Sequence, residues 1–164
     1  MALSSARLRK LLDYNPETGV FTWLVNRGNN RCAGKIAGTI RKDGHRQIGI
    51  DGRYYLTGPL AWLWMTGMWR FWPSEQIDHI NGKRDDDRIA NLRLATGTQN
   101  QGNRRGTNQQ GLKGITFQKG RFVAGIKMNG RNVYLGSFDT AKEAHAAYLA
   151  AARKHFGAEF VKSY

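Results

Sequence analysis

The thirty residues from Gln76 to Arg105, QIDHINGKRDDDRIANLRLATGTQNQGNRR, constrain the fold more than any other stretch of the chain. A short apolar entry ends in Asp78-His79, and a polar excursion through Asn81-Gly82 and Asp85 to Asp87 follows. From Asn91 to Thr96 the pattern alternates, with Leu92 and Leu94 on one face, as in a half-buried strand. Thr96 followed by Gln99 fits the T-x-x-Q capping box and predicts a helix from about residue 97. Asn100 then falls in its first turn or so, with Asn103 and Arg104 on the same face. The predicted order is strand, loop, strand, helix.

These residue types in this order suit phosphodiester chemistry. Asp78 is a hard anionic oxygen of the kind Mg²⁺ prefers, a cation commonly held by one or two side chains plus waters and substrate phosphate. Asn100 offers a second, neutral oxygen, and His79 can accept a proton from water near neutral pH. Asn91, at the mouth of the loop, is better placed to bond local backbone than to react. Taken singly the parts are ordinary: Asn81-Gly82 is a turn signal, Asp85 to Asp87 is most often a solvated acidic loop, and an isolated histidine is usually structural.

As a set, Asp78-His79, Asn91 and Asn100, within and just after IDHINGKRDDDRIANLR, resemble the HNH endonuclease family, specifically the phage and intron-homing type whose last histidine is replaced by asparagine. The resemblance implies a ββα-metal finger over 76–105. It implies one divalent cation on Asp78 and Asn100, Mg²⁺ with Mn²⁺ as substitute. It also implies a catalytic pair in which His79 is the general base and Asn91 orients the loop.

The formal net charge of +14 points first to nucleic acid and second to an anionic membrane surface. Five Trp, six Tyr and seven Phe exclude a disordered basic tail. Cys32 is the only cysteine, which rules out an intramolecular disulfide and a multi-cysteine zinc site and predicts a reducing compartment. The most apolar run, Pro59 to Pro73, contains Arg70 and is too short to span a bilayer, and nothing at Met1 reads as a signal peptide. The expectation is a cytoplasmic protein, in a bacterial host cell if phage-encoded.

Ahead of this unit, Leu8, Leu11 and Leu12 recur at helical spacing over Ala6 to Asp13, with Ser4 or Ser5 as cap. Asn15 to Gly19 reads as a turn, and Val20 to Val25, Lys35 to Ile40, Arg46 to Ile50 and Arg53 to Thr57 as strands, the last two joined by Asp51-Gly52. Arg27 and Arg31 lie in a polar loop within reach of phosphate. Pro59 suits the first turn of a helix whose Leu60 to Met65 are apolar nearly all round: a buried support for the finger, or an aromatic stacking platform for nucleic acid. LLDYNPETGVFTW and the LAW of that helix are similar to phage HNH proteins. Many of these carry a histidine where this chain has Gly58.

Behind it, a linker at 106–110 leads into a second domain at 111–164, so that 1–105 is the nuclease domain. Lys113 to Phe117, Arg121 to Met128 and Arg131 to Phe138 read as three antiparallel strands turned by Lys119-Gly120 and Asn129-Gly130. Thr140-x-x-Glu143 caps a helix with a stripe of Ala144, Ala147, Tyr148 and Ala151. The overall class is α+β. The stretch GITFQKGRFVAGIKMNGRNVYLGSFDTAKEAHAAYLAAARKHFG looks like the Apetala-type (ethylene-response-factor) DNA-binding domain, in which the sheet enters the major groove. Carried over by position, Lys113, Thr116, Gln118, Arg121, Lys127 and Tyr134 would face DNA. Arg104 and Arg105, in the Gly, Asn, Gln and Arg stretch that ends the finger helix, are expected on backbone phosphate. Gly125 stands where plant members usually place a glutamate, and the first turn lacks their tryptophan.

The expected function is a metal-dependent endonuclease acting on double-stranded DNA as a monomer without an obligatory protein partner or a membrane, one finger per chain favouring nicking. The alternatives are a catalytically inactive sequence-specific DNA-binding regulator and an RNA-binding protein.

Overall fold

Ten short strands and four helices account for most of residues 3–69, 74–102 and 111–161, which a computed structural model of the chain describes. The architecture mixes α and β in several small sheets, compatible with the α+β class. Packing divides the chain at Met1–Ala95 and Thr96–Tyr164. The 106–110 linker, Asn103, Arg104 and Arg105 lie outside the described residues.

In the first unit, helix α1 (Ser5–Leu11) starts where Ser4 Oγ accepts the Arg7 amide at 3.1 Å. It is shorter than the leucine spacing predicts. From Leu12 the chain is extended as β1 (Leu12–Asn15), burying Leu12 and Tyr14 and exposing Asp13 and Asn15, so a period of two overlies the helical one. β1 pairs antiparallel with β2 (Val20–Trp23) from Leu12↔Trp23 to Asn15↔Val20. The turn between them is set by Asn15 Oδ1, which accepts from the Glu17 and Thr18 amides.

Strands β3 (Thr39–Ile40), β4 (Arg46–Ile50) and β5 (Arg53–Leu56) form an antiparallel sheet in that order, with Asp51-Gly52 at positive φ in the last turn. The expected strand at Lys35 keeps only its end. Its first half runs beside β2 instead, through Trp23 N to Lys35 O and Ala37 N to Phe21 O.

Helix α2 (Thr57–Thr66) has Pro59 in its first turn and stops at left-handed Gly67. Its Leu60, Ala61 and Leu63 join Leu8, Leu12, Phe21, Ile48, Ile50 and Leu92 in one core. Trp62 and Trp64 pack against that core, and the Arg9 guanidinium covers the Trp64 ring at 4.7 Å, which is packing rather than an open stacking platform. Strands β6 (Glu75–His79) and β7 (Leu92–Thr96) pair as a two-stranded sheet.

In the second unit, α3 (Gly97–Gly102) begins with the reciprocal pair Thr96 N to Gln99 Oε1 and Gln99 N to Thr96 Oγ1. Strands β8 (Ile115–Gln118), β9 (Arg121–Met128) and β10 (Arg131–Phe138) form an antiparallel sheet with β9 central. β8 starts two residues later than expected because Gly114 is at positive φ, with the Tyr148 ring lying where a Cβ would be. Helix α4 (Ala141–Phe156) carries the Thr140/Glu143 capping box and buries Ala144, Tyr148, Ala152 and Phe156. The stripe thus ends on Ala152 rather than Ala151.

Gly19 shows how tightly the first unit is closed. Its φ is +75°, and a Cβ there would lie 2.5 Å from Arg88 N and 2.6 Å from the Asp87 carbonyl carbon. Gly19→Ala is expected to destabilise the protein by roughly 2 kcal/mol or more, through strain and overlap together. Urea unfolding measures it, and a loss below ~0.5 kcal/mol would mean that the turn yields.

Candidate active site

Neighbouring residues of a strand point to opposite faces, so β6 sends Asp78 and His79 in different directions. Both are buried, with 6% and 8% of their surface exposed. Asp78 Oδ2 accepts from Arg93 Nε of the paired strand at 2.9 Å, with Nη2 at 2.7 Å. His79 Nε2 lies 2.9 Å from Asp87 Oδ1.

The loop between β6 and β7 is closed by Asn91. Its Oδ1 accepts the Asn81 amide at 2.9 Å, and its Nδ2 donates to Asn81 Oδ1 at 3.1 Å and to Asp86 O at 2.7 Å. Asn81 Nδ2 in turn donates to Asp86, which also takes a two-bond fork from Arg88 at 2.7 and 2.6 Å. The bonds from Arg88 are the first reason, and the bond from Asn81 a further one, that the Asp86 carboxyl is pushed down to about 2. A depressed carboxyl stabilises the fold above its ordinary range and loses that contribution as pH falls toward 2, so this clasp is fully charged at any pH where the protein would work.

Asp87 overturns the reading of Asp85 to Asp87 as a solvated loop. Asp85 is exposed and Asp86 half-buried, but Asp87 is 1% exposed. Its Oδ2 accepts the Thr57 hydroxyl, and its backbone carbonyl accepts Tyr14 Oη at 2.7 Å. Burial first, and Asp87 second, push the Tyr14 phenol well above its ordinary range. Gly58 belongs to the same spot: a Cβ there would lie 3.1 Å from Asp87 Oδ1 and 3.6 Å from His79 Cε1. No local signal in the sequence separates Asp87 from its two neighbours. The glycine at 58 was the nearest hint.

A second imidazole, also missed, stands close by. The His45 ring is 6.1 Å from that of His79 and its Nδ1 is 3.4 Å from Asp43 Oδ1. Burial holds His45 below its ordinary range, against the opposing pull of Asp43.

Among the described residues, no three His, Cys, Asp or Glu side chains are gathered as for a metal ion. A hard cation bound largely through waters and phosphate needs no such cluster. Asp78 fits the role in kind, as a hard anionic oxygen donor, and Arg93 engages its Oδ2. Asn100 lies half-buried on α3 and belongs to the second unit, whereas Asp78 belongs to the first.

In the second unit, register places Gln118 opposite Arg121, Gly125 opposite Tyr134 and Thr116 opposite Val123. Cross-strand partners share a face, so Thr116, Gln118, Arg121, Lys127 and Tyr134 lie together on the sheet side away from buried Ala124 and Ile126. Asn132, not singled out from the sequence, lines the same shallow depression, as does Val123. Arg121 is also paired with Asp139 at 3.0 Å. Lys113 departs from the set. Its ammonium sits 5.9 Å from the ring centres of Tyr148 and Phe156, with the helix, because left-handed Gly114 turns the chain before β8 begins. In the first unit, the Arg27 guanidinium lies 4.6 Å from the centre of the Trp23 ring.

Residues 60–101 match the HNH endonuclease family, from the second turn of α2 through β6, the Asn91 loop and β7 to Asn100. The match supports a nuclease of HNH type. No curated protein and no solved structure matches the chain.

Asn91→Ala removes three hydrogen bonds from a half-buried loop and is expected to cost about 1–3 kcal/mol. Amide hydrogen exchange should rise selectively over residues 80–88, and unchanged exchange there would show that the loop is held by other means.

Proposed function

We propose that the protein is a phage-type HNH endonuclease that hydrolyses phosphodiester bonds in double-stranded DNA, using one divalent cation and, as a monomer with one finger per chain, nicking rather than cutting both strands. The observation that carries this reading is the family match over 60–101, which spans Asp78, His79, Asn91 and Asn100. LLDYNPETGVFTW and the LAW of α2 support the phage type. In a bacterial host the protein would act in the cytoplasm. No helix among the described residues is long and apolar enough to cross a membrane.

In the proposed reaction Asp78 and Asn100 would hold the cation, Mg²⁺ or in its place Mn²⁺, which would supply Lewis-acid stabilisation of developing negative charge. His79 accepts a proton from the attacking water. Asn91 acts through the loop that it closes. Arg93 holds the Asp78 carboxylate in place from the paired strand.

We further propose that residues 111–164 are an Apetala-type DNA-binding domain joined to a nuclease domain at 1–105 through a linker at 106–110. Its open sheet face would enter the major groove through Thr116, Gln118, Arg121, Lys127 and Tyr134. Tyr134 is 67% exposed, and an exposed aromatic among cations and amides suits a nucleic-acid surface. Arg104 and Arg105 complete the proposed phosphate contacts. Lys113 has the weaker claim, given its place beside α4.

One observation favours the second reading, a DNA-binding regulator without activity: Arg93 already engages Asp78, so a cation must share that carboxylate with it. Incubation with supercoiled plasmid decides between them. Nicking with Mg²⁺ or Mn²⁺ that excess EDTA abolishes is the expected outcome, and retardation of DNA without cleavage under every metal would establish the regulator. His79→Ala, in protein first shown by circular dichroism to be folded because the change also takes a partner from Asp87, should remove cutting and spare binding, since no DNA contact is assigned to His79; equal loss of both in folded protein would overturn its role as base. Lys127→Ala should lower the slope of log K against log salt by about 0.9, as for one phosphate contact. A slope equal to wild type would remove Lys127 from the DNA face.

A further inference from the structure

We infer that Asp87 is the positioning residue of the base: its carboxylate accepts the Nε2–H of His79 and thereby fixes the ring orientation and the tautomer that leaves the lone pair on Nδ1. The inference deepens the proposed function, resting on His79 as the base.

The geometry supplies the steps. Asp87 Oδ1 and His79 Nε2 are 2.9 Å apart, and both side chains are almost wholly removed from water. An ionised carboxylate only accepts, so the ring nitrogen that faces it carries the proton. The second oxygen is engaged as well. The Thr57 hydroxyl lies against Oδ2 and also 3.0 Å from Arg46 O; its single proton goes to the carboxylate, the stronger acceptor.

The carboxylate is placed by backbone, not by chance of rotamer. Tyr14 Oη donates to the Asp87 carbonyl, Ile89 N donates to Pro16 O at 3.2 Å, and Gly19 lets the two segments approach closely enough for both. Gly58 leaves room on the side where imidazole and carboxylate meet.

In the reaction, the water O–H bond breaks and its proton goes to Nδ1. The hydroxide oxygen bonds to phosphorus, the P–O3′ bond breaks, and the 3′ oxygen takes a proton from solvent. The Nε2 proton stays on the ring, and the imidazolium so formed faces the Asp87 carboxylate. No proton passes to Asp87.

Two measurements on the full chain test this. Long-range ¹H–¹⁵N spectra of protein labelled in histidine, with the His79 signal identified by its loss in His79→Gln, should show the Nε2–H form. This requires neither substitution of Asp87 nor cleavage. Asp87→Asn, which keeps the shape and removes the charge, should lower kcat for plasmid nicking about tenfold to hundredfold while DNA affinity stays within about twofold of wild type. The Nδ1–H form in a protein that nicks DNA overturns this inference alone, as does full kcat in a folded Asp87→Asn. Should that variant fail to fold, the wild-type spectrum decides. A wild type that shows the Nε2–H form but nicks with no metal overturns the proposed function instead.

Discussion

A carboxylate almost out of contact with water is the constraint around which the first unit is assembled. Asp87 must find donors or remain unfolded, and the donors come from distant parts of the chain: a hydroxyl from the start of α2 and an imidazole from the end of β6. Bringing them together fixes the angle between helix and strand at that point. It also fixes the course of the β6–β7 loop, whose backbone is tied to the β1–β2 turn by Tyr14 and Pro16. Two glycines permit this convergence, Gly19 by close backbone approach and Gly58 by lacking a side chain.

The same loop is clasped from its other side by amides and charges that do not depend on Asp87. Asn91 joins Asn81 to the Asp86 carbonyl, and Asp86 gathers Arg88. The result is a rigid polar excursion with a buried inner wall and a charged outer one. Asp78, on the opposite face of β6 from His79, is anchored separately by Arg93 across the strand pair. The proposed base and the proposed cation ligand are thus held by independent supports on one short strand, so that a change at one need not disturb the other.

What was legible in the sequence was local. Thr96/Gln99 and Thr140/Glu143 cap their helices because a capping box is complete within four residues. Asp51-Gly52 and Asn129-Gly130 turn hairpins because both positions take positive φ. The failures were tertiary. Leu8, Leu11 and Leu12 keep helical spacing across a boundary where the chain becomes extended, so β1 was hidden inside an expected helix. Asp85, Asp86 and Asp87 are identical letters with three different burials, decided by Thr57 and His79. Lys113 follows the turn at Gly114 toward α4, which no alignment of strand positions could foresee.

The second unit's sheet ends laterally in β10, whose ladder shifts register between Tyr134 and Gly136. Such a bulge bends and twists its strand, and the opposite edge, β8, is only four residues long. A bent edge on one side and a short one on the other are features by which sheets discourage edge-to-edge pairing with further strands.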